Sequence, residues 1–157
     1  MFKRGSMISP VFFDSCAFDG GDIGEQRASI EIRDLFDVHD GEFIILHSVQ
    51  KELNFQTTPC WVVKLADTYV GTLEVSLTLD EQAVLSDIEG IIVGNGILEN
   101  HQSDCRHVFE AYKHGRYFVT TDNGILKRSK ALEQRLTTLF VVRPTEFLQM
   151  ARDNVFS

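Results

Sequence analysis

The sequence predicts an α/β fold, a mainly parallel five-stranded sheet with helices on both faces. Three observations carry that prediction. Short apolar runs of strand length recur at residues 11–13, 43–46, 117–121 and 138–142, and an alternating run lies at 72–79. Helical patterns separate these runs, and strands alternating with helices call for a parallel sheet covered on both sides. The chain has 157 residues, 43% hydrophobic and 24% charged, enough for one ordinary core and too few for two. Residues 8–157 therefore read as one domain.

The elements follow in order. Val11, Phe12 and Phe13 form a buried strand that ends in Asp14, and Gly20-Gly21 breaks the pattern after it. Ile30, Ile32, Leu35, Phe36 and Val38 give residues 26–38 an imperfect apolar helical face. Phe43, Ile44, Ile45 and Leu46 make the second strand, and Ser48 offers a cap for a short helix carrying Glu52 and Leu53. Thr58-Pro59 starts a helix over 60–66. Leu73, Val75, Leu77 and Leu79 alternate with Thr72, Glu74, Ser76 and Thr78, which predicts an edge strand with one buried face. Thr78 or Asp80 caps the following helix, which runs to about Ile92 and ends at Gly94-Asn95-Gly96. Ser103 is the expected cap of a helix reaching about His114, stopped by Gly115. The strand 117–121 ends in Asp122, a basic helix runs from Gly124 to about Arg135, and Pro144 opens a last helix through Met150. Asn-Gly-Ile-Leu occurs at Asn95 and again at Asn123, but the surroundings differ and no repeat is inferred.

Composition narrows the function. No apolar run has the length of a membrane span, and no apolar stretch follows Lys3-Arg4 as a signal peptide requires, so a cytoplasmic, membrane-free protein is expected. Gly5-Ser6-Met7 fits a cloning remnant ahead of a start at Met7, and fits a native extension as well. Three cysteines, Cys16, Cys60 and Cys105, are too few and too odd for a disulfide framework and read as reduced thiols. The formal net charge of −8 disfavours nucleic-acid binding by overall charge, yet carboxylates that hold metal ions make a site acidic until the cations reverse its sign.

Four acids stand where an open parallel sheet builds sites, outside the carboxyl ends of its strands. Asp14 ends the first strand and Asp122 the fourth; Glu52 lies on the helix after the second strand, and Asp104 opens the helix before the fourth. Phe12-Phe13-Asp14-Ser15-Cys16, His47-Ser48-Val49-Gln50-Lys51-Glu52-Leu53, Ser103-Asp104-Cys105-Arg106-His107-Val108-Phe109-Glu110-Ala111 and Thr120-Thr121-Asp122-Asn123 resemble, in order, the four motifs of the PIN-domain ribonuclease family. The resemblance spans about residues 8–150. It implies a three-layer α/β/α sandwich with strand order 3-2-1-4-5 and an endoribonuclease dependent on Mg²⁺ or Mn²⁺. It implies Asp14, Asp104 and Asp122 as metal ligands, with Glu52 a further catalytic acid. Ser15, Thr120 and Asn123 would hydrogen-bond the ligands. Independently of the resemblance, the charges of Lys127, Arg128, Lys130 and Arg135 after Asp122, and of Lys51 beside Glu52, would attract the RNA backbone, unless they form only an ordinary exposed face. Some members are toxins restrained by an antitoxin protein, and bacterial members are commonly homodimers. One departure stands out: where many members carry a further acid after the Thr-x-Asp, this chain has Asn123, so one metal held firmly and a second held weakly or not at all are expected.

Other readings compete. Strand-end aspartates often only cap the next helix. A PIN-like domain with weak catalysis, serving in binding or assembly, accounts for the missing acid and the negative charge. A phosphatase or receiver domain would use a strand-end aspartate, but Cys16 replaces the second acid of an Asp-x-Asp, and Arg143 is a poor stand-in for a receiver's lysine. His101 and Cys105 stand at i, i+4 with His107 expected on another side of the helix, so a tetrahedral zinc site lacks ligands. Asp19 and Asp22 do not match a calcium loop. Trp61, Tyr69 and several of the 12 phenylalanines read as core rather than as a base-stacking platform. Walker, Gly-x-Gly-x-x-Gly and Ser-His-Asp signatures are missing.

Overall fold

The computed structural model describes residues 11–38, 43–54, 58–66, 70–72 and 76–156. Expectations placed on residues 1–10 and 73–75 lie outside them, as does that for Tyr69. The chain runs β1 (Val11–Phe13), α1 (Ile23–Val38), β2 (Phe43–Ile45), α2 (His47–Leu53), α3 (Cys60–Ala66), β3 (Val70–Gly71) and α4 (Leu79–Val93). It continues with α5 (Gln102–His114), β4 (Tyr117–Val119), α6 (Asn123–Leu126), α7 (Ser129–Arg135), β5 (Phe140–Val142) and α8 (Pro144–Phe156). Single 3₁₀ turns at Ser15–Ala17 and Leu98–Asn100 complete the list. The architecture is α/β, rich in helix, around a small parallel sheet.

The strands pair in the order β3-β2-β1-β4-β5, every pair parallel. Val11, Phe12 and Phe13 pair with Tyr117, Phe118 and Val119. Successive strand residues point to opposite faces, and all of these are buried, so both faces of the central pair are covered. On the Tyr117 face, Phe147 of α8 meets the Tyr117 ring edge-on at 5.5 Å and stacks on Phe36 of α1 at 6.1 Å. Glu25, in the first turn of α1, accepts from Thr145 N at 3.0 Å and Thr145 Oγ1 at 2.9 Å, supplying the donors of the α8 start with an acceptor. Phe12 and Phe118 point the other way and are fully buried. On the described residues, no helix is long and apolar enough to cross a membrane.

Five expectations need correction. Trp61, read as core, is 52% exposed. The helix α2 starts at His47 with no side-chain cap, so Ser48 does not cap it. The alternating segment is not a strand where it is described: β3 is the two-residue Val70–Gly71, residues 76–78 are unpaired, and Leu79 is 83% exposed. A capping box competes for this stretch, with Glu81 N donating to Thr78 Oγ1 and Thr78 N to Glu81 Oε1, both at 3.2 Å, so α4 starts at Leu79. The basic helix is two helices. Arg128 N donates to Ile125 O, a 3₁₀-type bond that tightens the chain at Lys127-Arg128. Ser103 does not cap α5, which starts one residue earlier; its hydroxyl lies 3.3 Å from His107 Nε2 instead.

The loop after β1 is clamped to the end of β4. Thr121 Oγ1 donates to Cys16 O at 3.1 Å and Gly20 N to the same oxygen at 2.6 Å. A methyl group on Gly20 would stand 2.4 Å from that carbonyl oxygen and 2.8 Å from Thr121 Oγ1. Gly20→Ala must therefore move backbone, at a cost of about 1–3 kcal/mol. A fall in Tm of roughly 3–10 °C is expected; an unchanged melting curve would show that the loop yields freely.

Candidate metal and active site

The strand order reverses between β1 and β4, and a parallel sheet leaves a crevice outside the strand ends at that point. Asp14 sits there, buried, with its N–H donating to Val119 O of β4 at 2.9 Å. Its carboxylate is held by three donors: Ser15 N to Oδ1 at 2.8 Å, Thr120 Oγ1 to Oδ2 at 2.8 Å, and Cys16 Sγ to Oδ2 at 3.3 Å. Burial raises the Asp14 pKa, and the nearby His107 and the Thr120 hydroxyl only partly pull it back. Burial and the Asp14 charge push the Cys16 thiol up to about 12, so Cys16 stays a neutral donor.

Thr120 joins the two strand-end acids. Besides donating to Asp14, its hydroxyl accepts from Asp122 N at 3.0 Å. Asp122 Oδ1 in turn accepts from Ile125 N at 3.1 Å and caps α6, so one carboxylate serves a helix start with one oxygen and keeps the other. Asp104, in the first turn of α5, accepts no hydrogen bond from the described residues. Burial, then the charges of Asp14 and Asp122, push its carboxyl up to about 6, against the pull of His107.

Glu52 enters from α2. Ser15 Oγ donates to its Oε2 at 2.9 Å, and His107 Nε2 lies 2.5 Å from the same oxygen. The His107 hydrogen bond holds the Glu52 pKa below the usual carboxylate range despite partial burial. Burial alone would lower the pKa of the fully buried His107; Glu52, Asp14 and Asp104 outweigh it, and the net shift is upward. The pair is thus an imidazolium and a carboxylate.

Asp104 thus feels the charges of Asp14, Asp122 and Glu52, and Asp14 feels that of Glu52. The tightest group that can surround a cation differs from the expected one, however. Ligand atoms of Asp14, Glu52 and His107 all lie within 4.8 Å of one another, and Asp104 and Asp122 are outside that group. Four carboxylates at one crevice suit a hard divalent ion, which favours oxygen donors and keeps waters. Of the helpers, Ser15 and Thr120 hydrogen-bond site carboxylates as expected. Asn123 does not: its Oδ1 accepts from Arg143 Nη2 at 3.3 Å. Arg128 is partly committed, donating to Gly124 O at 2.8 Å. Lys127 is exposed and lines an open groove of about 250 Å³ with Asn123, Ser129, Arg143 and Glu146. Lys51 is exposed beside Glu52.

His107 was expected on another side of α5. It lies three residues from both Asp104 and Glu110, a spacing that places all three on neighbouring positions of one helix face. That spacing was the available signal. Cys105 is buried with its thiol pushed up to about 11, and His101 joins no metal-capable cluster among the described residues, so zinc gains nothing. No protein-family model matches the chain, and none of the curated proteins compared with it matches.

Proposed function

We propose that the protein is a PIN-like endoribonuclease that hydrolyses RNA phosphodiester bonds with Mg²⁺ or Mn²⁺. One observation carries the reading: acids from four separate elements converge outside the ends of β1 and β4, with Thr120 linking two of them and His107 as their close cation. The strand order, the one the PIN resemblance implies, supports it, as does the burial of both faces of the central pair β1 and β4, which fits a three-layer sandwich.

When bound, a hard divalent cation makes water acidic enough to attack phosphorus and offsets the charge building on the phosphodiester. Asp14, Asp104 and Asp122 would hold it. Glu52 has both donors on Oε2, which leaves Oε1 to orient the attacking water. Thr120 and Ser15 fix the Asp14 and Glu52 carboxylates. The site's acids need a cation to draw in RNA, and Lys127 with Arg143 lines the groove that starts at Asn123. Neutralising Lys127 and Arg128 together should weaken RNA binding several-fold and flatten its salt dependence, with Arg128 contributing less. Filter binding from 50 to 200 mM salt reads this directly, and an unaltered slope rules the groove out.

The test of function is cleavage of single-stranded and structured RNAs with Mn²⁺, Mg²⁺ or EDTA, for wild type and Asp14→Asn. Metal-dependent cleavage lost in the variant supports the reading. The alternative, a catalytically weak binding or assembly domain, draws on the imidazolium already paired with Glu52 and on Asn123 in place of an acid. It predicts no cleavage and no stabilisation by metal.

A further inference from the structure

A partly buried polar chain reaches beyond the groups that the proposed chemistry uses. It runs Glu110–Ser48–His107–Glu52–Ser15 and links α5 to α2. On α5, His107 and Glu110 are one turn apart; on α2, Ser48 and Glu52 are also one turn apart. The two helices face each other across these pairs. His107 is 0% exposed and Glu110 8%.

Counting hydrogens assigns the roles. Glu110 Oε2 accepts from Ser48 N at 3.0 Å and from the Ser48 hydroxyl, which thereby spends its only hydrogen. Ser48 Oγ can then only accept at 2.8 Å from His107 Nδ1, so Nδ1 carries a proton. Nε2 is left to face Glu52 Oε2 at 2.5 Å, the oxygen that Ser15 also holds. Both ring nitrogens are therefore engaged by protein, and ligation by His107 would require breaking its contact with Glu52. A hard cation gives little reason to do so, since it favours oxygen over imidazole. Packing gives little reason for the chain either, because buried polar groups that satisfy only one another add little net stability.

We propose that His107 is a positioning residue of the metal site: held in one orientation by Ser48 and Glu110, it pins Oε2 of Glu52 and reserves Oε1 for the cation or its water. The inference rests on the metal-site reading above. It assigns Ser48, His107 and Glu110 a shared role apart from that of the four acids.

The test compares Ser48→Ala, Glu110→Gln, His107→Gln and His107→Asn with wild type. The readouts are Mn²⁺ affinity, kcat and KM on RNA, and the ¹⁵N imidazole signals of His107. Wild-type His107 should show a slowly exchanging Nδ1 proton, lost in Ser48→Ala. Mn²⁺ affinity and kcat should fall about 10–100-fold in Ser48→Ala and Glu110→Gln, with KM changed less than about threefold. His107→Gln, which places a donor near the Nε2 position, should outperform His107→Asn, which places one near Nδ1. A role limited to packing would not give that ranking. Wild-type affinity and kcat in folded Ser48→Ala and His107→Asn overturn the proposal. Should His107→Asn fail to fold, Ser48→Ala decides alone, since it removes one hydroxyl. A wild type that neither binds Mn²⁺ nor cleaves RNA overturns the nuclease reading and this proposal with it, whereas a binding, cleaving wild type beside unaffected variants overturns the positioning role only.

Discussion

Asp14→Asn is expected to reduce metal-dependent RNA cleavage by at least about 10³-fold, the equivalent of roughly 4 kcal/mol of transition-state stabilisation. The carboxylate is buried at the end of β1, with its Oδ1 3.8 Å from His107 Nε2 and its charge felt at Asp104. An amide removes that charge without changing the shape. The same substitution should leave metal-free stability close to wild type, because two effects oppose each other. Losing a buried charge that the fold disfavours is a gain. Against it, Asp14 accepts on both oxygens, and an asparagine must turn its NH₂ toward Thr120 and Cys16 or toward Ser15 N, at about 1–3 kcal/mol. Asp104→Asn has no such offset, since no described residue donates to that carboxylate. The rise of its pKa from 3.8 to about 6 corresponds to about 3 kcal/mol, or about 1–2 kcal/mol once discounted for its partial solvation. Asp104→Asn should therefore raise the Tm in EDTA by roughly 2–8 °C while weakening Mn²⁺ binding. Single-turnover cleavage and melts in EDTA test the pair of variants. A fully active Asp14→Asn would remove Asp14 from the site, and a destabilised Asp104→Asn would mean that carboxylate has a favourable role in the metal-free fold.

The second large effect is an opposite response to pH with and without metal. Between about pH 4 and 6 the folded protein keeps the Asp104 proton that the unfolded chain has released, so the folded state binds more protons and stability falls as pH rises. His107 acts in the same direction: its raised pKa contributes stability that is full below about 6.5 and is lost as pH rises through the folded value. Glu52 works at the acid end, with stability present above about 4.5 and lost as pH falls through its lowered folded pKa. The metal-free protein should thus be most stable near about pH 5 and decline toward pH 8. A divalent cation binds the ionised acids, so the Tm gain from millimolar Mn²⁺ should grow from pH 5 to pH 8. At a hundredfold excess over Kd it reaches about 2.7 kcal/mol, roughly 5–10 °C. Melting curves at four pH values, with EDTA and with Mn²⁺, give the result in one experiment. A metal-free Tm that rises steadily to pH 8, or an Mn²⁺ effect that shrinks with pH, would contradict an acid cluster in need of a cation.

The positions of Asp14 and Asp122 were legible because each follows a short apolar run, and both the run and its end are local features. The capping of α4 by Thr78 and the stop at Gly94, which adopts φ 55°, were legible for the same reason. The segment at 72–79 misled because apolar alternation is also local, and a capping box claimed its end for a helix. The break at Lys127-Arg128 was hidden because basic residues favour a continuous helix by propensity, while a single Arg128–Ile125 backbone bond interrupts it.

By itself, the sequence determined the alternation of strands and helices, the acids at their ends and the charge of the whole, because periodicity, caps and composition act between near neighbours. Tertiary structure alone decided that Thr120 joins Asp14 to Asp122, that Asn123 faces Arg143 and that His107 holds Glu52. Apart from Asp122 N to Thr120, two residues apart, those contacts cross 20 to 106 residues of chain, and their partners meet only because β1 pairs with β4, β4 with β5, and α2 lies against α5. The protonation of His107 depends on the same approach: an imidazole with no carboxylate beside it would lose its charge on burial.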